Sequence, residues 1–226
     1  MSSERRMQGF VKIGTLLILL VLPIFVYLFL QTFGKNRYKI PIFYPEDSIQ
    51  VDGKWIVNKY QTIPDFNLID QNNQPFKASE KLKGKVYVAD FFFTRCGSVC
   101  PVLTSELARV QEAYKNTPDV VLVSHTVDTE HDTPEVLKKY AEKYKAIEGK
   151  WFFLTGDKKQ IFKLAYNNYK VNAGEESATI TPDFFHASKL ILIDKEKRVR
   201  GYYDGTDAKS VDKLILEIKI LLEEYR

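Results

Sequence analysis

The side chains best suited to chemistry in this chain are also its scarcest. Among 226 residues there are two cysteines, Cys96 and Cys100, and three histidines, His125, His131 and His186. The cysteines stand four positions apart in FFFTRCGSVCP, where an apolar run gives way to a helical pattern. Residues i and i+4 of a helix share one face, with Cβ atoms about 5–6 Å apart, so this spacing predicts two sulfurs converging on one point. A helix start offers partial positive charge and unpaired amides, which favour thiolate over thiol and improve both sulfurs as nucleophiles and as ligands. Two thiolates form a soft donor pair, suited to Cu(I), zinc or iron–sulfur binding rather than to a hard cation.

Three readings of the pair stay open at this point. The cysteines could be small core residues, although that leaves their shared place at a helix start unexplained. They could serve thiol–disulfide chemistry, which usually employs the shorter C-x-x-C. They could capture a metal, which requires at least one further donor. His186, just before SKLILID, is the candidate, because that strand is expected to neighbour the strand feeding Cys96. His125 falls inside the apolar run VVLVSHTVD and reads as a core or hydrogen-bonded residue. His131 lies in DTEHDTPE beside Asp128, Glu130 and Asp132, where solvation at a helix start competes with metal binding. Two cysteines are too few for the disulfide framework of a small secreted domain, which needs four or more.

The elements that must position these residues are readable from periodicity. IPDFNLIDQNNQPF alternates apolar and polar residues around Asn72-Asn73, the pattern of a hairpin. KVYVADFFF and VVLVSHTVD are continuous enough in apolar and β-branched residues to be strands buried on both faces. From Ser98 to Tyr114, Val99, Val102, Leu103, Leu107, Val110 and Tyr114 recur at helical spacing. Thr133 before Pro134 caps a helix through PEVLKKYAEKYKA, and Asp157 caps KKQIFKLAYNNY after the short strand WFFLTG. Residues 171–185 have no clear period and read as an insertion. SKLILID and RVRGYYDG are close enough to pair as an antiparallel edge, and an amphipathic helix runs from about Ala208 to Tyr225. Strand, helix, strand, helix, hairpin, helix is thioredoxin order, an α/β fold.

Ahead of this domain, residues 10–33 carry one charge, Lys12, and the charge-free run after it is long enough to span a bilayer core of about 30 Å. Pro23 in its middle is tolerated in lipid. The run exceeds the apolar core of a signal peptide and no A-x-A-like site follows, so an uncleaved transmembrane anchor is expected. The division is a tail at 1–9, an anchor at 10–33, a tether at 34–59 and a thioredoxin-like domain at 60–226. Arg5, Arg6 and Lys12 balance Lys35, Arg37 and Lys39, so flanking charge does not choose an orientation. A net charge of +4, spread over mixed-sign helices, offers no basic stripe for a nucleic-acid backbone.

Three blocks resemble the Sco/SenC family of thioredoxin-like copper proteins over about residues 60–226. FFFTRCGSVCP resembles the family's strand followed by C-x-x-x-C-P, DTEHDTPEVLKKYA its D-P-E-R-D-T-P-E loop and helix, and HASKLILID its histidine before a strand ending in Ile-Asp. The resemblance implies a copper metallochaperone that loads the binuclear copper centre of cytochrome c oxidase, with Cys96, Cys100 and His186 as ligands to Cu(I) or Cu(II). It implies a cytoplasmic tail and an exported domain, periplasmic in a bacterium or facing the mitochondrial intermembrane space. Implied partners are the copper-bearing subunit of the oxidase, a copper donor and, because Cys96 and Cys100 can close into a disulfide, a thiol reductase. The rival is a thiol–disulfide oxidoreductase with Cys96 as nucleophile, and a thiol peroxidase is a weaker third reading. The chain departs from the family pattern in Gly97 and Ser98, where Pro-Asp is frequent, in Thr129 for the loop proline, and in His131 for arginine.

Overall fold

A computed structural model describes residues 2–33, 39–51, 54–171 and 188–226. The chain divides into two units, Met1–Tyr38 and Lys39–Arg226. The first contains one helix, α1 (Ser2–Phe33), with Pro23 inside it. Its stretch Gly14–Gln31 is long and apolar enough to cross a membrane.

The second unit begins earlier than alternation alone suggests. Within the stretch expected to be a tether, β1 (Pro45–Val51) and β2 (Lys54–Tyr60) pair antiparallel as a hairpin, with Ile49 opposite Ile56. Among the described side chains neither strand buries an alternating face, and both isoleucines are exposed, so no buried alternation announces them. β3 (Asn67–Asp70) and β4 (Pro75–Lys77) form the expected second hairpin. Asp70 Oδ1 accepts from the amides of Asn72 and Gln74 at 2.9 Å each, and Asn73 takes φ = 57°, the left-handed conformation asparagine tolerates best among non-glycine residues.

The remaining elements follow in chain order. They are α2 (Ala78–Lys81), β5 (Val86–Phe92), α3 (Val99–Tyr114), β6 (Val120–Thr126), α4 (Pro134–Lys143), β7 (Trp151–Thr155) and α5 (Lys158–Lys163), which runs on into a π-helical turn at Leu164–Asn168. After them come β8 (Lys189–Ile193), β9 (Val199–Asp204) and α6 (Ala208–Glu224). The caps expected of Thr133 and Asp157 form, Thr133 accepting from the Val136 amide and Asp157 from that of Gln160. His186 and nearly all of the expected insertion lie outside the described residues.

Among the described residues the main sheet has seven strands in the order β4-β3-β7-β6-β5-β8-β9, with β5, β6 and β7 parallel and β8 antiparallel to both β5 and β9. Every residue of β5, β6 and β7 is buried, as continuous apolar runs demand. On one face Val86, Val88 and Phe92 pack with Leu103, Leu107 and Val110 of α3, Leu137 of α4 and Leu214 and Ile218 of α6. On the other, Tyr87, Ala89 and Phe91 pack with Phe66, Phe76, Ile161 and Tyr169. Each such buried aliphatic or aromatic side chain contributes about 1.5–3 kcal/mol. Chemistry is left to the ends of the strands.

A buried charge ties the start of this unit to its far end. Arg200, 3% exposed, donates to the carbonyls of Ile40 and Pro41, to Glu224 at 2.6 Å and to Asp194 at 3.2 Å. The Ile40 amide donates to the other Glu224 oxygen at 3.0 Å. Removing one partner of such a cluster strands the rest in low dielectric. Arg200→Ala is therefore expected to lower unfolding free energy by about 3 kcal/mol, read from denaturant melts of the chain in detergent, with amide exchange at Ile40 accelerating before the rest of the sheet.

Candidate functional site: a dithiol at a strand-to-helix junction

β5 ends at Phe92, and residues 93–98 turn into α3, so Cys96 lies in the loop and Cys100 is the second residue of the helix. The expected convergence of the two sulfurs therefore does not rest on helical i, i+4 stacking, since Cys96 precedes the helix. It rests on a cap. Ser98 at the helix start supplies no side-chain cap, and instead the Cys100 amide donates to Cys96 Sγ at 3.4 Å. One of the orphan donors of the first turn is thereby satisfied by sulfur.

The two thiols sit in different media, and only one behaves as a helix start suggests. Burial pushes the Cys96 thiol up, but hydrogen bonds from Cys100 and from the amides of Ser98 and Val99 outweigh it and hold Cys96 below the usual thiol range. Cys100 is 7% exposed, and burial, with Cys96 and Asp90 adding to it, pushes its thiol up to about 12. The expectation of two thiolates is corrected to one thiolate-prone, half-buried sulfur and one buried thiol, because desolvation under α3 exceeds what the amides return.

The loop is held from below. Asp132, fully buried, accepts from the Thr94 amide at 3.0 Å and from the hydroxyls of Thr94 and Thr126, and meets His131 Nδ1 at 2.9 Å. Arg95, beside Cys96, pairs with Asp128 at 2.5 Å. The DTEHDTPE segment thus anchors the cysteine loop by its aspartates. His131 belongs to this network, and the ligand atoms of Asp128, His131 and Asp132 lie within 4.8 Å of one another. Tyr140 of α4 reaches the first turn of α3 through Thr104 at 2.9 Å, and Thr104 donates to the Cys100 carbonyl at 2.7 Å.

β8 neighbours β5, as the third-donor argument requires. Ala89 faces Ile191 and Tyr87 faces Ile193 in antiparallel register, so β8 begins at the sheet end where β5 gives way to the cysteine loop. A Cβ added at Gly205 would stand 3.0 Å from both Leu103 of α3 and Leu190 of β8. The start of β8 and the first turns of α3 therefore meet across that glycine.

Two buried polar groups were not singled out as site residues from sequence. Asp90, mid-strand in β5, has its Oδ1 bonded by Ser124 at 2.5 Å, with Trp151 Nε1 donating to Ser124 at 2.9 Å. Burial pushes Asp90 up to about 7 against the lowering effect of Ser124. Its signal was present as the sole carboxylate in a run of apolar residues. His125 is fully buried as expected, stacked on Phe91 at 4.9 Å with Nδ1 3.3 Å from the Asp90 carbonyl. Burial lowers it to about 4, against the raising effect of the backbone at Asp90 and Val123. Among the described residues Asp90 Oδ2 and His125 Nε2 have no partner.

The site and fold together define a thioredoxin-like domain with a single dithiol in a strand-to-helix loop. The chain belongs to the SCO1/SenC family, whose model matches residues 57–223. A SCO1 protein homolog of Bacillus subtilis is 32% identical over 142 residues, 62% of this chain and 72% of that protein. The structure of BsSco, described as a member of the Sco family of cytochrome c oxidase assembly proteins with a disulfide switch, superposes with TM-score 0.61 at 29% identity, covering 71% of this chain and 93% of that one. Arabidopsis thaliana ScoI, solved with copper bound, superposes with TM-score 0.54 at 26% identity over 69% and 97% of the two chains.

The displaced groups work against each other with pH. His125, lowered from 6.5 to about 4, contributes stability that is present above 6.5 and lost as pH falls through 4. Asp90, raised from 3.8 to about 7, contributes stability that is present below 3.8 and lost as pH rises through 7. The two largely cancel between about pH 4 and 6.5. His125→Phe, which fits among Phe66, Phe91 and Tyr169, is expected to remove the acid-side loss. Denaturant midpoints of the variant should then fall steadily from about pH 4 to 7, where the wild type is nearly flat.

Proposed function

We propose that this chain is a membrane-anchored copper chaperone that binds Cu(I) or Cu(II) as cargo through Cys96, Cys100 and His186 and delivers it to the copper-bearing subunit of cytochrome c oxidase. The observation that carries the reading is the dithiol itself, one half-buried, thiolate-prone sulfur and one buried sulfur at a helix start beside the first residues of β8. Soft sulfur donors suit Cu(I), and an imidazole completes a three-coordinate set that Cu(II) extends with oxygen. His186 stands two residues before Ser188, a reach of about 7 Å of chain, from the strand whose start abuts α3. The copper-bound Arabidopsis relative and the oxidase-assembly role of BsSco support the same reading.

α1 is the anchor in this proposal, with residues 1–9 on the cytoplasmic side and the domain exported, on the periplasmic side in a bacterium. A copper donor and a thiol reductase complete the partners, the reductase because a Cys96–Cys100 disulfide cannot take metal. The asymmetric thiols also favour a second reading, a thiol–disulfide oxidoreductase acting on oxidase cysteines, with Cys96 as nucleophile and Cys100 as resolving thiol.

The reduced full chain in detergent is expected to bind one copper per molecule. Cys96→Ser and Cys100→Ser should abolish binding, and His186→Ala should weaken it by more than about a hundredfold, equivalent to about 2.7 kcal/mol. Because Cys100 must shed a proton to bind, apparent affinity should rise with pH. A reduced chain that binds no copper sinks the chaperone reading, and disulfide exchange unchanged in His186→Ala then favours the oxidoreductase.

A further inference from the structure

The β1–β2 hairpin stands apart from the core that holds the rest of the domain. It forms a two-stranded sheet of its own, outside the seven-stranded one. Of its described side chains only Val57 and Tyr60 are partly covered, and none is buried. A lone two-stranded ribbon is marginal in water, and apolar side chains on it contribute nothing while they stay wet. Yet Ile49 and Ile56 face each other across the ladder, 46% and 49% exposed.

Polarity is graded along the ribbon. At its base Lys59 pairs with Glu46 at 2.6 Å, and Asn58 donates to Asp47 at 3.3 Å. The isoleucines lie farther toward the turn, where the register sets Gln50 opposite Trp55 and Val51 opposite Lys54. Tryptophan and lysine, the latter by snorkelling, are residue types that favour the boundary between lipid headgroups and acyl chains.

Chain length decides which apolar surface is at hand. Ile40 is 2% exposed and its backbone is bonded by Arg200 and Glu224, so the chain is fastened to the domain there. Seven positions separate Ile40 from Phe33, the last residue of α1, a reach of about 25 Å. The hairpin starts five positions after Ile40, and its base is closed by the Gln61 amide on the Tyr44 carbonyl at 2.9 Å. Strands of seven residues extend about 24 Å more. A bilayer entered by α1 is therefore within range of the hairpin, at the high effective concentration that a short link gives. A protein partner fits less well. One face of such a ribbon offers about 250 Å², against about 800 Å² per partner in a stable protein interface.

We infer that the turn-proximal half of the β1–β2 hairpin docks on the lipid surface, with Ile49 and Ile56 entering the boundary between headgroups and acyl chains of the bilayer that α1 crosses. The inference rests on the reading of α1 as a membrane anchor. The hairpin is then a second attachment point, and two attachments restrict rotation of the domain where one does not.

The test uses the full chain with Cys96→Ser and Cys100→Ser, so that Ile56→Cys supplies the single thiol for an environment-sensitive fluorophore. This chain is reconstituted into phosphatidylcholine vesicles with and without lipid that carries a nitroxide on its acyl chain. Emission from position 56 is expected to be quenched at least about twofold by the nitroxide. A label at Ile147→Cys, another exposed isoleucine, should be unaffected. Adding Ile49→Asp to the chain labelled at position 56 should abolish the quenching, which separates insertion by the hairpin from insertion by the fluorophore. With Cys96 and Cys100 intact and no label, brominated lipid should quench tryptophan emission, and Trp55→Phe should remove that quenching, because Trp151 is fully buried. This second measurement stands if the serine variants fail to fold. Flotation is read alongside. A chain that does not float with the vesicles ends the anchor reading and the docking with it. A chain that floats while position 56 is unquenched, or is quenched equally at position 147 or in the presence of Ile49→Asp, overturns the docking alone. Shielding of position 56 that grows with chain density and ignores the nitroxide assigns the face to a second copy of the chain and also overturns it.

Discussion

The hydrogen bond from the Cys100 amide to Cys96 Sγ is the contact on which the rest of the site depends. A helix that starts directly after a buried strand leaves amides without partners, and water cannot easily supply them at the edge of a packed core. Here sulfur takes one of them. The bond holds Cys96 across the first turn of α3, draws negative charge onto the accessible thiol, and leaves Cys100 pointing inward. The same few atoms thus create a difference in acidity between two chemically identical groups, because one sulfur faces amides and solvent and the other faces Phe92 and Leu103.

That asymmetry survives only if the loop cannot relax. β5 is buried along its whole length, so it cannot slide or rotate, and Asp132 grips Thr94 within the cysteine loop, two residues before Cys96. Asp132 also holds Thr126 at the end of β6. The loop is therefore fastened to the neighbouring strand rather than to solvent-exposed side chains. By contrast, the Arg95–Asp128 pair is largely exposed on the arginine side and contributes little to rigidity. The site lies beyond the carboxyl ends of the parallel strands, the usual position in open α/β sheets, where side chains escape the requirement to be apolar on both faces.

Much of this is legible in the sequence. Continuous apolar runs marked β5, β6 and β7, helical spacing marked α3 and α6, and cap residues marked the starts of α4 and α5. The pairing of β8 with β5 followed from chain order alone. The β1–β2 hairpin escaped because its isoleucines are exposed and no buried alternation records it among the described side chains. The acidity of Cys100 escaped for a different reason. Spacing reports which residues are near a helix start but not how much water each one keeps, and burial reversed the sign of the expected shift. Asp90 was visible as a lone carboxylate in an apolar strand, but an Oδ2 without a partner among the described residues is a property of three strands together and of no sequence window.

The departures of this chain from its family act on the outer wall of the site. A Cβ at Gly97 would meet nothing within 4 Å, so crowding does not impose glycine there, and the wall beside Cys96 is open. With serine rather than a carboxylate at position 98, no charge between the cysteines competes with the amides for control of Cys96. The thiolate character of that sulfur therefore rests on hydrogen bonds from the Cys100 thiol and from the amides of Cys100, Ser98 and Val99. His131 adds an imidazole to the Asp132 network, and Arg95 is the cation next to Cys96 in the chain. A reagent approaching through the open wall meets the half-buried Cys96 before the buried Cys100.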